Sequence, residues 1–128
     1  MTLNFNTVVD QLEERMQMKE AMNLAMEVQQ NLLPKNMPLV KGLDIAARSI
    51  YCDETGGDLY DFLEIDDCNA DCIGIAVGDV SGHGIPAALL MTMTWTLLRT
   101  YAGKEDSPSE VLKRMNETLQ QATSAAKF

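Results

Sequence analysis

Two aspartates set among glycines are the residues of this 128-residue chain best suited to chemistry. Asp58 stands in Thr55-Gly56-Gly57-Asp58-Leu59-Tyr60-Asp61, and Asp79 in Gly78-Asp79-Val80-Ser81-Gly82-His83-Gly84. The segments Asp58 to Ile65 and Cys72 to Asp79 read as strands, and the turn formers Asp66 to Asp71 between them predict an antiparallel hairpin. A turn centred between Cys68 and Asn69 pairs Asp58 directly with Asp79. Opposed residues share one face of the sheet with Cα atoms about 4.5 to 5.5 Å apart. Two carboxylates that close require a proton or a cation between them, and an oxygen-only ligand set suits a hard ion such as magnesium or manganese. Flanking glycines let carbonyls, water and a phosphate approach. Two unrelated Asp-Gly strand ends would give the same spacing without any chemistry.

Other patterns are weaker. Asp67-x-Asn69-x-Asp71 opens like a calcium loop, but Cys72 stands where that loop needs glycine and Gly78 where it needs glutamate. The glycines around Asp79 match neither a P-loop nor a dinucleotide fingerprint. Cys68, Cys72 and His83 leave a zinc set incomplete, so the cysteines read as small buried residues. His83 is a general-acid candidate, although a lone histidine in a glycine turn also serves as a structural hydrogen-bonder. No serine sits in a nucleophile elbow, and no cysteine has a paired histidine with an orienting group.

The elements that must position these motifs are mostly helical. Asn6 to Leu33 favours helix, with Val9, Leu12, Met16, Met22, Ala25 or Met26, Gln29 and Leu32 along one stripe, and Pro34 ends it. The part before Met22 reads as a partner helix and the part from Ala25 as packing on its own domain. Leu43 to Tyr51 alternates like a strand, and the apolar run of Cys72 to Asp79 implies burial on both faces. A helix is expected from about Pro86 to Tyr101, closed by Gly103. Another opens with Ser107-Pro108-Ser109-Glu110, a capping-box pattern, and buries Val111, Leu112, Met115 and Leu119.

Composition bounds the function. A hydrophobic content of 46% is ordinary for a globular domain, and a net charge of −9 argues against a nucleic-acid partner. Cys52, Cys68 and Cys72 form an odd set without a disulfide pattern, which fits a reducing cytoplasm. Met1 to Asp10 does not read as a secretory signal, and Ile85 to Leu98 is too short to span a bilayer, so no membrane insertion is expected.

Three motifs carry a resemblance: Ala25 to Pro34, including Gln29, Leu32, Leu33 and Pro34; Gly56 to Asp61; and Gly78 to Gly84. In this order and spacing the chain resembles the bacterial metal-dependent protein phosphatases of the PPM superfamily, in the SpoIIE/RsbU-like group. The resemblance covers about Met22 to Gln121. It implies an α+β fold, part of an αββα sandwich of antiparallel sheets flanked by helices and preceded by a long N-terminal helix. Residues 1–21 would be a helical linker or dimerisation segment, and 22–128 the N-terminal portion of the phosphatase domain. Two manganese or magnesium ions are implied, bridged by Asp79, with Asp58 on one of them and Val80 contributing its backbone carbonyl. Gly57, Ser81, Gly82 and His83 would stand around the phosphate or behind the ligands. Water would attack phosphorus in line, without a phosphoenzyme.

The implied substrate is a phosphoserine or phosphothreonine protein of the anti-sigma-factor-antagonist type, with an upstream sensor domain acting through the first helix. The family's later aspartates have no counterpart before Phe128. The expectation is therefore a truncated domain, weakly active or inactive alone, with an open sheet edge covered in a homodimer or by swapped elements. The competing expectation is a non-catalytic dimeric signalling module that binds partners.

Overall fold

The computed structural model describes residues 5–50, 56–65, 72–104 and 107–124. Its elements, in chain order, are α1 (Phe5–Leu32), β1 (Asp58–Glu64), β2 (Ile73–Asp79), α2 (Gly84–Ala102) and α3 (Pro108–Ser124). The arrangement is α+β with a long N-terminal helix, as expected. Among the described residues there is one sheet, the antiparallel pair β1-β2.

The two faces of this hairpin differ because its side chains alternate. Leu59, Asp61 and Leu63 lie opposite Gly78, Ala76 and Gly74, so large residues on β1 meet small ones on β2. Leu59 and Leu63 join a core with Leu33 of the chain after α1, Met91 and Leu98 of α2, and Val111 and Met115 of α3. Met91 is wholly buried. Spacing by four and seven explains why Ala87, Met91 and Leu98 share the inner face of α2. The threonines of α2 bond back onto the helix itself. Thr92, Thr94, Thr96 and Thr100 each donate a hydroxyl to the carbonyl four residues earlier, at 2.7 to 2.9 Å.

The opposite face of the hairpin carries Asp58, Tyr60 and Phe62 across from Asp79, Val77 and Ile75. Ile75 and Val77 are 58% and 84% exposed. The expected double burial of β2 is thus not observed: its inner face meets the helices, and no second sheet covers its outer face among the described residues. The strand expected at Leu43 to Tyr51 is also absent over 43–50, which runs without a ladder; Tyr51 lies outside the described residues. Leu43 and Ile50, at 56% and 71% exposed, show why alternation alone did not suffice, since a strand needs a partner edge.

On α3, the Ser107 Oγ accepts the Glu110 N–H at 3.3 Å, as an N-cap should. Val111 and Met115 are buried, but Leu112 is 63% exposed, so it leaves the expected inner face. The Tyr101 hydroxyl meets the Thr118 hydroxyl at 3.0 Å and ties α3 to α2. On α1, Gln29 is the buried residue, and Met22, Met26 and Leu32 are half-buried. Phe5, Leu12, Met16 and Met18 are exposed. Cys72 is exposed rather than buried, because it precedes β2 at the hairpin end; Cys52, Cys68 and the segment Asp66 to Asp71 lie outside the described residues. No described helix is long and apolar enough to cross a membrane.

Candidate functional site

Asp58 is the first residue of β1 and Asp79 the last of β2, and the ladder pairs them directly. The register expected from the turn is the one observed. Both are exposed, on the hairpin face away from the core. They border a cleft of about 680 Å³ whose other wall is the 46–50 segment, including Arg48.

Just beyond the aspartates the two strands stay clasped. The Val80 N–H donates to the Gly57 carbonyl at 3.1 Å. The Val80 carbonyl in turn packs over the Gly57 Cα: a Cβ at Gly57 would meet that oxygen inside contact distance and lie 3.1 Å from the Val80 carbonyl carbon. Glycine is therefore required at 57 by close backbone approach.

Gly56 is held from elsewhere. The Gln29 side chain donates from Nε2 to the Gly56 carbonyl at 2.6 Å and accepts the Gly56 N–H on Oε1 at 3.3 Å. A buried glutamine thus pairs with both backbone groups of one peptide residue, satisfying its own amide. The Tyr60 hydroxyl donates to the Pro34 carbonyl at 3.2 Å, a second tie between the end of α1 and β1.

Ser81, Gly82 and His83 are exposed in the turn that leads into α2. Gly82 and Gly84 have φ of 106° and 74°, which side chains rarely adopt. His83 is the N-cap residue with extended backbone, and its side chain makes no capping bond. It therefore does not fill the structural hydrogen-bonding role at that helix end. The helix α2 begins five residues after Asp79, and its first turn leaves backbone N–H groups without helical partners, a setting that favours anions.

Asp61 is in the first motif but not in the cleft. It is wholly buried on the helix side and accepts both Nε and Nη2 of Arg99 at 2.6 Å. Sequence reading gave neither residue a role. The available signal was parity: Asp61 falls in step with Leu59 and Leu63, and a carboxylate on an apolar face needs a partner. Gln29 gave the same signal by falling on the apolar stripe of α1. The hydrogen bond to Asp61 raises the Arg99 pKa above its already high ordinary value, with Asp61 and Glu64 charges adding to it against desolvation. A raised pKa stabilises the fold below the unfolded value, and that contribution is lost only in strong alkali.

What the exposed pair can do is hold a hard divalent cation. The described residues contain no group of three or more His, Cys, Asp or Glu side chains placed for a metal. Magnesium, however, is commonly bound by one or two carboxylates and keeps several waters. Two opposed carboxylates and a nearby backbone carbonyl fit that donor chemistry as a partial site.

Residues 69–128 match the family described as Stage II sporulation protein E (SpoIIE). The chain is 36% identical over 112 residues to phosphoserine phosphatase RsbU of Bacillus subtilis, covering 88% of this chain and 32% of that protein. It is 32% identical over 103 residues to phosphoserine phosphatase RsbP of the same organism, covering 79% and 24%. With protein IcfG of Synechocystis sp. it shares 33% identity over 78 residues, 61% of this chain and 12% of that protein. The chain thus spans a third or less of the length of these relatives. Its paired aspartate motifs and these matches agree: the chain is similar to the SpoIIE family over its second half and to phosphoserine phosphatase RsbU over most of its length.

Proposed function

We propose that this chain supplies the first half of a manganese- or magnesium-dependent phosphatase site that removes phosphate from phosphoserine or phosphothreonine in a protein. The observation that carries this reading is the direct pairing of Asp58 with Asp79 on the exposed face, with Val80 folded over Gly57. Asp58 and Asp79 would hold the metal through their carboxylates, with the Val80 backbone carbonyl as a further oxygen donor. When bound, the metal neutralises phosphate charge and lowers the pKa of the attacking water.

The chain's own residues shape the site around that chemistry. Gly57 admits the Val80 carbonyl against its own Cα, one residue before Asp58. Ser81, Gly82 and His83 border the approach to Asp79, and the first turn of α2 offers N–H donors to an anion. Gln29 holds the Gly56 peptide, so a displacement of α1 reaches the residue two before Asp58. That link supports regulation through the helix by an upstream sensor. Residues 22–128 would form the domain portion, with 1–21 a linker that pairs in a homodimer.

The relatives named as phosphoserine phosphatases support the substrate class. We take the physiological substrate to be of the anti-sigma-factor-antagonist type and the setting to be the cytoplasm. Manganese titration by calorimetry of the chain and of Asp79→Asn is the direct test: binding in the first and its loss in the second are expected. Equal titration curves would refute the site. A second reading, a non-catalytic dimeric signalling module, is favoured by the exposed Phe5, Leu12, Met16 and Met18 of α1. It predicts concentration-dependent dimers with no manganese binding that depends on Asp79.

A further inference from the structure

Asp61 and Arg99 form a two-pronged ion pair that the metal reading leaves unused. Asp61 is fully buried and accepts three hydrogen bonds: Arg99 Nε on Oδ2 and Arg99 Nη2 on Oδ1, both at 2.6 Å, and the Phe62 N–H on Oδ1 at 2.9 Å. The Arg99 side chain is 47% exposed, and its guanidinium lies 5.0 Å from the centroid of the Trp95 ring. Trp95 and Arg99 are one turn apart on α2, so the ring backs the fork.

Such a pair is a poor device for stability alone. The desolvation of a buried carboxylate offsets most of the Coulomb attraction, and well-packed apolar residues commonly serve as well or better. A two-pronged arginine fork supplies direction instead, fixing both distance and orientation.

The place where direction is needed follows from the chain path. The helix α2 leaves Asp79 through Gly82 and Gly84, two positive-φ glycines whose backbone freedom does little to set the helix axis. A second attachment far along the helix can set it. Arg99 lies fifteen residues after Gly84, about 22 Å on at 1.5 Å per residue. Its partner Asp61 is on β1, the strand that begins with Asp58.

We propose that the Asp61–Arg99 fork is a positioning pair for the aspartate site. By fixing α2 against β1 it holds the Asp79–Gly84 segment in place, keeping Asp79 and Val80 opposite Asp58 and Gly57. Its link to metal binding rests on the proposed function, whereas its effect on backbone geometry does not.

The test therefore reads both. Amide hydrogen exchange at Val80, whose N–H is bonded to Gly57, and manganese affinity by calorimetry are measured in the chain, in Arg99→Lys, and in the double variant Asp61→Leu with Arg99→Met. Lysine keeps a cation for Asp61 but loses the fork, and the apolar pair removes the buried charge. In both variants Val80 exchange should rise about tenfold relative to the α3 amides, and manganese affinity should fall about tenfold, in the range seen when groups behind metal ligands are lost. The double variant should melt no lower than the parent chain, because the charge has gone.

Val80 exchange within twofold of the parent in either folded variant would overturn the proposal and leave the pair a structural contact. A parent chain that binds no manganese would defeat the proposed function instead, while Val80 exchange still decides the positioning role.

Discussion

Gly57→Ala is the most discriminating single change, because general rules and this structure predict opposite signs. Replacing glycine with alanine in a permissive conformation stabilises a protein by about 0.4 to 1 kcal/mol, through the unfolded chain. At Gly57, however, the new Cβ would lie 3.1 Å from the Val80 carbonyl carbon, 3.2 Å from the Val80 Cβ, and closer still to the carbonyl oxygen. Ordinary contacts between such atoms begin near 3.5 Å, so the two segments must part by roughly 1 Å. That movement stretches the 3.1 Å bond from Val80 N–H to Gly57 carbonyl beyond hydrogen-bonding range. Loss of the bond costs about 1 kcal/mol and the overpacking about 1 to 3 kcal/mol, against the smaller gain from the unfolded state.

The net expectation is destabilisation by about 2 kcal/mol, measured by urea unfolding, with manganese affinity reduced about tenfold or more. Gly103→Ala is the internal control. Gly103 has φ of −92° and nothing within 4 Å of its Cβ position, so alanine should be neutral or slightly stabilising there. A Gly57→Ala chain as stable as the parent, with unchanged manganese affinity, would refute the reasoning about the Val80 approach.

Further outcomes follow from the same contacts. Gln29→Ala leaves both backbone groups of Gly56 without their side-chain partner, and should cost about 1 to 3 kcal/mol while accelerating exchange of the Gly56 amide; parent-like exchange at Gly56 would contradict this. Met115→Ala empties a buried core position and should cost about 2 to 5 kcal/mol by denaturant unfolding. Leu112→Gln, three residues away but exposed, should change stability by about 0.5 kcal/mol or less. Equal effects at the two positions would show that α3 packs differently.

The parts of this fold legible in the sequence are those set by local periodicity. The pairing of Asp58 with Asp79 followed from turn placement, and one residue of slip would have turned every side chain to the other face. The Ser107 cap was equally plain, because its partner lies three residues away. Alternation failed at 43–50, where the pattern is extended but no strand edge receives it, and at Ile75 and Val77, whose apolar character does not by itself supply a covering layer. Leu112 failed for a related reason. Val111 and Leu112 are adjacent on a helix and therefore about 100° apart, so only one of them lies centrally on a narrow buried face.

The site itself depends on contacts that periodicity does not encode. Gln29 reaches Gly56 across 27 residues and Asp61 reaches Arg99 across 38. Each nevertheless left a trace, a polar residue in step with an apolar face. The burial of Leu33, Leu59, Met91 and Leu98 brings the helices and the hairpin together, but hydrophobic contact is non-directional and tolerates sliding. Sliding is what an opposed pair of aspartates cannot tolerate. The directional contacts fall where that tolerance ends: an amide clamp on Gly56, a backbone clasp between Gly57 and Val80, and a guanidinium fork on Asp61. Each holds a segment that carries Asp58 or Asp79 without using either carboxylate, so both aspartates remain exposed and available to a cation.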